Sequence, residues 1–166
     1  MGFFTLSYAQ SDTTNAVNLE EAVIYSGKFK EKRKNIAQQI EVITARKIAR
    51  ANAQNTGDLL GNTGAVFVQK SQQGGSSPVI RGFEASRVLL VVDGIRLNNA
   101  IYRAGHLQNV ITVDQNLLER IEVLYGPSST LYGSDALGGV IHMRTKQPIF
   151  STTEKTIFKT NTVTRI

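Results

Sequence analysis

The side chains best suited to ligate a metal or move a proton are His106 and His142, and there are two histidines in all. The chain has no cysteine, so it offers neither a thiolate metal site nor a disulfide framework. No HExxH-type pair, phosphate-binding loop or nucleophile elbow is present. The glycine-rich steps lack the GxGxxG spacing after a strand that dinucleotide binding requires. His142 falls inside the strand-like run Val140-Ile141-His142-Met143-Arg144, where it reads as a packed or solvent-facing residue. These residues assemble no catalytic constellation and imply no bound cofactor, so the expectation is a protein that is not an enzyme.

Charge is the other chemistry on offer. The 166 residues carry 19 basic and 13 acidic side chains, a net +6. Much of the excess lies in Lys28, Lys30, Lys32, Arg33 and Lys34, where like charges repel and favour a solvated linker. Phe29 alone interleaves with that run, too little for a base-stacking platform, so a nucleic-acid reading rests on charge.

The elements behind these residues are short. Residues 11–18 are small and polar, and the stretch 11–36 reads as a disordered arm. Ahead of it, residues 1–10 resemble a secretory-signal remnant, with Phe3, Phe4 and Leu6 before the small-x-small step Ser7-Tyr8-Ala9; a frayed terminus is the alternative. Structure is expected from Gln39, with Ile40 and Val42 alternating as a strand closed by Ile43. Thr44 suits an N-cap for a helix through Ala53, and a second short helix is expected from about Thr56, with Leu59 and Leu60 inward. From Ala65 the period changes to two, then Gln72 to Ser77 reads as a flexible loop and Val79-Ile80-Arg81 as a short strand.

Arg87 to Val92 is the strongest strand, because its five consecutive apolar residues imply burial on both faces. Asp93-Gly94 should end it as a type I′ turn, with Ile95 and Leu97 on the returning strand. Asp114 can cap a short helix holding Leu117 and Leu118; Ile121, Val123 and Tyr125 then form a strand, and Gly126-Pro127 a turn. Gly138-Gly139 allows a close backbone approach before the last strand, Val140 to Arg144. The domain proper is placed at 37–147, followed at 148–166 by a linker and weak alternation from Thr156. The fold class is α+β: a small mixed β-sheet with short helices.

Three segments in this order resemble the plug domains of TonB-dependent outer-membrane receptors. They are Ile80-Arg81-Gly82-Phe83 with RVLLVVDGIRLN at 87–98, LERIEVLYGPSSTLYGSDALGGVIHMRTK at 118–146, and, more weakly, EEAVIYSG at 20–27 in the place of a TonB box. The resemblance covers roughly residues 20 to 146, and the string YGPSSTLYGSDALGGVI is its most specific part.

The resemblance implies a compact plug lodged in a 22-stranded barrel, gating TonB-energised uptake of an iron complex or similar scarce nutrient. A free-standing periplasmic ligand-binding module derived from a plug is the alternative. Barrel lumens are polar, which makes Arg81, Arg87, Arg96, Glu119, Arg120, Glu122 and Arg144 candidates for contact with the barrel wall. Plugs often carry Arg before the Gly-Pro, where this chain has Tyr125. The TonB box would be Glu20, Glu21, Ala22, Val23, Ile24, Tyr25 and Ser26, adding a strand to TonB through its backbone; a helix start capped by Asn18 competes for the same residues. Thr156 to Thr160 resembles entry into a first barrel strand.

The string NNAIYRAGHLQNV at 98–110 is similar to those of haem receptors. It points to haem, or else a ferric siderophore, as cargo. In that reading His106 is an axial haem ligand on the extracellular side, and Tyr102 and Arg103 contact a porphyrin face and a propionate.

Overall fold

The structure is a computed structural model that describes residues 23–24, 31–32, 37–70, 75–97, 108–126, 129–148, 150 and 160. Its centre is a five-stranded mixed sheet. Strand β3 (Ile40–Thr44) lies at one edge, then β8 (Leu118–Tyr125), β9 (Gly139–Thr145), β6 (Val88–Val92) and β7 (Ile95–Arg96). Strands β6 and β9 run parallel, and every other neighbour pair is antiparallel. Two further pairings stand apart from this sheet: β1 (Val23–Ile24) with β2 (Glu31–Lys32), and β4 (Phe67–Lys70) with β5 (Ser76–Val79).

The period-two pattern sorts the strands' side chains onto two faces. On the first, Ile43, Val88, Leu90, Ile121, Val123, Ile141 and Met143 join one buried cluster. Helices α1 (Ala45–Ala51) and α2 (Thr56–Asn62) cover it, contributing Ile48, Leu59 and Leu60. On the second face, Ile40, Leu89, Val91, Leu124 and Val140 pack against Tyr132 and Ala136. Tyr132 ends the short helix α3 (Ser129–Tyr132), and Ala136 belongs to the 3-10 turn Ser134–Ala136. Strand β6 is therefore buried on both sides, as five apolar residues in a row require.

Local chemistry sets the boundaries. The Thr44 hydroxyl accepts from the Lys47 amide and starts α1, whose last residue, Ala51, comes two before the Ala53 expected from the sequence, with Asn52 as its C-cap at φ 41°. Asparagine tolerates that left-handed geometry and stops the helix. For α2 the cap is Asn55, whose side chain accepts from the Asp58 amide at 2.8 Å and donates to the Asp58 carboxylate at 3.1 Å. Asp93 and Gly94 have φ 48° and 87°, the two positive values a type I′ turn needs. The Asp93 carboxylate also accepts from the Thr145 amide and hydroxyl, which ties the turn to the end of β9.

Gly138 and Gly139 are needed for space. A Cβ at Gly138 would lie 2.3 Å from the Phe83 Cβ, and one at Gly139 would lie 2.4 Å from the Leu124 carbonyl oxygen.

Four expectations are corrected. Ser76 and Ser77 are buried strand residues paired with Lys70 and Gln69, where a loop was expected. Their polar, glycine-flanked sequence conceals a partner strand that lies earlier in the chain. Arg81 lies in a turn with φ 51°, closed by reciprocal backbone bonds between Ile80 and Phe83, and does not extend a strand. Leu118 opens β8, so the turn capped by Asp114 is a 3-10 segment ending at Leu117. Arg87 ends the 3-10 turn Ala85–Arg87, and β6 begins only at Val88. Thr156 to Lys159 and residues 71–74 lie outside the described residues.

Candidate functional site

Strands β8 and β9 place the charged residues of the second face side by side. Their register sets Arg120 opposite Arg144 and Glu122 opposite His142. Two like charges directly opposite repel, and each arginine is offset by an acid: Arg120 Nε lies 3.4 Å from Glu122 Oε1, and Arg144 Nε lies 3.6 Å from Glu119 Oε2. An irregularity in the register between Leu118 and Arg120 accompanies that second pair. His142 Nδ1 lies 3.9 Å from Glu122 Oε2.

Burial divides this group. The Glu119 side chain is 46% exposed, whereas that of Glu122 is 1% exposed. Glu122 is withdrawn from the candidates for wall contact, because a carboxylate enclosed by its own sheet has no surface to offer. It serves instead as the internal counter-charge of Arg120, with the His142 ring beside it. Burial first, and the Glu122 charge second, push the Tyr132 hydroxyl above its ordinary range.

Arg81 is exposed and held. Its Nη2 donates to Gln39 Oε1 at 2.9 Å, and its guanidinium sits 5.8 Å from the centre of the Tyr125 ring. A cation over an aromatic face is worth about 0.5–1 kcal/mol at an exposed position. The Tyr125 hydroxyl donates to the Ala65 carbonyl, and burial, then Glu41, raise its pKa while Arg81 lowers it. Tyr125 thus offers Arg81 an attractive aromatic surface. Sequence reasoning registered the departure and missed that role. Arg87 is exposed, and Arg96 pairs with Asp135.

Tyr102, Arg103 and His106 lie outside the described residues, as do Glu20, Glu21, Ala22, Tyr25 and Ser26. Within the expected TonB box, Val23 and Ile24 have extended backbone paired antiparallel with Glu31 and Lys32, so these four residues of the arm carry regular pairing. Among the described residues no helix is long and apolar enough to cross a membrane, and no group of three or more His, Asp and Glu side chains is placed to hold a metal ion. What the second face can do chemically is form ion pairs and hydrogen bonds.

Known proteins place this geometry. Residues 32–140 match the family described as TonB-dependent Receptor Plug Domain. The vitamin B12 transporter BtuB of Vibrio vulnificus (strain CMCP6) is 36% identical over 143 residues, 83% of this chain and 22% of that protein. The chain therefore spans less than a quarter of the length of the curated relatives it matches. Among solved structures, the ferric-catecholate import receptor Fiu from E. coli K12 has a TM-score of 0.55 at 29% identity, over 75% of this chain and 17% of its own. The ferripyoverdine receptor of the outer membrane of Pseudomonas aeruginosa has a TM-score of 0.62 at 21% identity, over 77% and 17%, a likeness of fold. With the family match running over more than half of its residues, the chain belongs to the plug domains of TonB-dependent receptors.

Proposed function

We propose that this chain is the gating plug of an outer-membrane active-transport receptor that imports haem, a ferric siderophore or a similarly scarce nutrient on energy supplied through TonB. The observation that carries the reading is the family match over residues 32–140. Relatives named for vitamin B12 and for ferric siderophores support import of a large, scarce complex. The plug fills the lumen of the receptor's own barrel in the outer membrane, and its N-terminal arm reaches the periplasm. Arg81, Glu119, Arg120 and Arg144 are the contacts with the wall.

Glu20 to Ser26 is the TonB box. A partner that adds a strand needs backbone donors and acceptors in extended conformation, which the pairing at Val23 and Ile24 supports. His106 is the haem ligand, with Tyr102 and Arg103 beside the porphyrin.

The test uses the full-length receptor in cells that depend on haem for iron. Replacing Val23 by Pro removes a backbone donor and fixes φ, and should reduce uptake about tenfold or more. Normal uptake by that variant places the box elsewhere. Titration of haem into the receptor with His106 replaced by Ala should change the Soret spectrum; an unchanged spectrum and affinity remove His106 from the site.

A further inference from the structure

Asp93 and Gly94 make the turn between β6 and β7, and that turn is open to solvent. Both residues are exposed and line a pocket of about 510 Å³ beside the end of β9, and a Cβ built on Gly94 would meet no atom within 4 Å. The step pairs an electrophile with a nucleophile. The Asp93 carboxyl carbon can close a succinimide ring on the Gly94 amide nitrogen, which has no side chain beside it as a shield. Two restraints hold these atoms apart. The Thr145 amide donates to Asp93 Oδ1 at 2.9 Å and the Thr145 hydroxyl to Oδ2 at 2.6 Å, so both oxygens are engaged by β9. The Asp93 amide donates to the Met143 carbonyl at 3.0 Å, which anchors the residue at its left-handed φ of 48°.

We propose that Asp93-Gly94 is a latent isoaspartate site, and that Thr145 keeps it unreacted while the domain is folded. In the first step the Gly94 nitrogen attacks the Asp93 carboxyl carbon. A carbon–nitrogen bond forms, and one carboxylate oxygen leaves as water, taking the amide proton and one proton from solvent. In the second step water adds to the former main-chain carbonyl of Asp93, and the bond from that carbon to the Gly94 nitrogen breaks. The chain then runs through the Asp93 side chain, one methylene longer, and the former main-chain carbonyl ends as a free carboxylate.

Ring closure must swing the carboxyl carbon toward Gly94, which breaks both bonds to Thr145. Loss of even one hydrogen bond to a carboxylate corresponds to about tenfold in a rate or an equilibrium. The product does not suit the hairpin. A two-residue turn sets Val92 opposite Ile95 and Val91 opposite Arg96. An added methylene lengthens the turn and releases β7, together with the Arg96–Asp135 pair that β7 carries.

The test incubates the full chain at neutral pH and body temperature, folded in buffer and unfolded in guanidinium chloride. Trypsin cuts after Arg87 and Arg96 and frees residues 88–96, whose aspartyl and isoaspartyl forms have equal mass and separate by retention time. The folded chain should form isoaspartate at least about tenfold more slowly than the unfolded one. In the folded chain, Thr145→Val removes the hydroxyl donor and should raise the rate about tenfold, whereas Thr145→Ser keeps the donor and should leave the rate near its original value. In the unmodified chain the rate should also rise in step with hydrogen exchange of the Thr145 amide as sub-denaturing guanidinium chloride is added, a readout that does not depend on a variant folding. Equal rates in folded and unfolded chains, no isoaspartate in either, a rate that ignores exchange at Thr145, or an unchanged rate in a folded Thr145→Val chain overturns the proposal.

Discussion

The two faces of the five-stranded sheet are made by alternate residues of the same strands, and they are completed in different ways. On the first face every inward position from Ile43 to Met143 is apolar, and α1 and α2 close over it. On the second, the apolar part ends after Ile40, Leu89, Val91, Leu124 and Val140, and the same strands continue with Arg120, Glu122, His142 and Arg144. One face is finished by the chain's own helices. The other is finished partly by α3 and partly by ion pairs, and its charged half suits a polar enclosing wall. Stability should therefore concentrate on the first face and electrostatic response on the second.

The sharpest test of that division compares neighbours on β6. Leu90 faces the larger cluster and is fully buried, whereas Leu89 faces the smaller one at 2% exposure. Both Leu→Ala changes remove the same atoms, so the difference between them reports how each face relaxes around the cavity. Leu90→Ala should cost about 4–5 kcal/mol and Leu89→Ala about 2–3 kcal/mol, within the range such truncations span. Chemical denaturation of the two variants measures this. Equal losses would mean that the faces are equally closed, and the comparison fails.

Within the charged half, burial decides which acid matters. Glu122→Gln leaves Arg120 without its counter-charge inside the sheet and should cost about 1–3 kcal/mol, less than a fully enclosed pair because Arg120 keeps some contact with solvent. Glu119→Gln acts on an exposed pair with Arg144 and should change stability by less than about 1 kcal/mol. Thermal unfolding of both variants at neutral pH checks the order, and a larger effect at Glu119 would reverse the reading.

How much of this was legible beforehand follows from where each cause resides. The double burial of β6, the Asp93-Gly94 turn and the Thr44 cap are signalled by residues adjacent in sequence, and all were readable; Gly138-Gly139 announced a close approach but not that Phe83 and the Leu124 carbonyl make it. The burial of Glu122 was not. An acid between Ile121 and Val123 reads as the outward half of an alternating strand, and only the register with His142 shows that this side of the sheet is covered. Ser76 and Ser77 misled for a similar reason: their partners, Lys70 and Gln69, lie earlier in the chain, and glycine and serine carry little strand signal of their own. The position of Tyr125 under Arg81 depends on two segments brought together only by folding.

The smallest effect expected is an alkaline one, and it separates the faces by their tyrosines. Tyr132 belongs to the second face and Tyr125 packs at the edge of the first cluster. Both hydroxyls are raised above the ordinary value of 10.0, each by burial first, then by Glu122 for Tyr132 and by Glu41 for Tyr125. Below pH 10.0 folded and unfolded chains hold the same phenolic protons, and these groups add no slope to stability. Above it the unfolded chain loses its protons first, while the folded chain keeps them until its raised pKa is reached. The unfolded state then binds fewer protons, so stability falls as pH rises through that window. Glu122→Gln removes one of the two causes acting on Tyr132 and leaves Tyr125 untouched. Ultraviolet titration of a chain in which Tyr8, Tyr25, Tyr102 and Tyr125 are replaced by Phe, with and without Glu122→Gln, should show the Tyr132 transition moving toward lower pH when Glu122 is neutral. If it stays in place, burial alone raises Tyr132, and the charge of Glu122 is screened from it by Arg120.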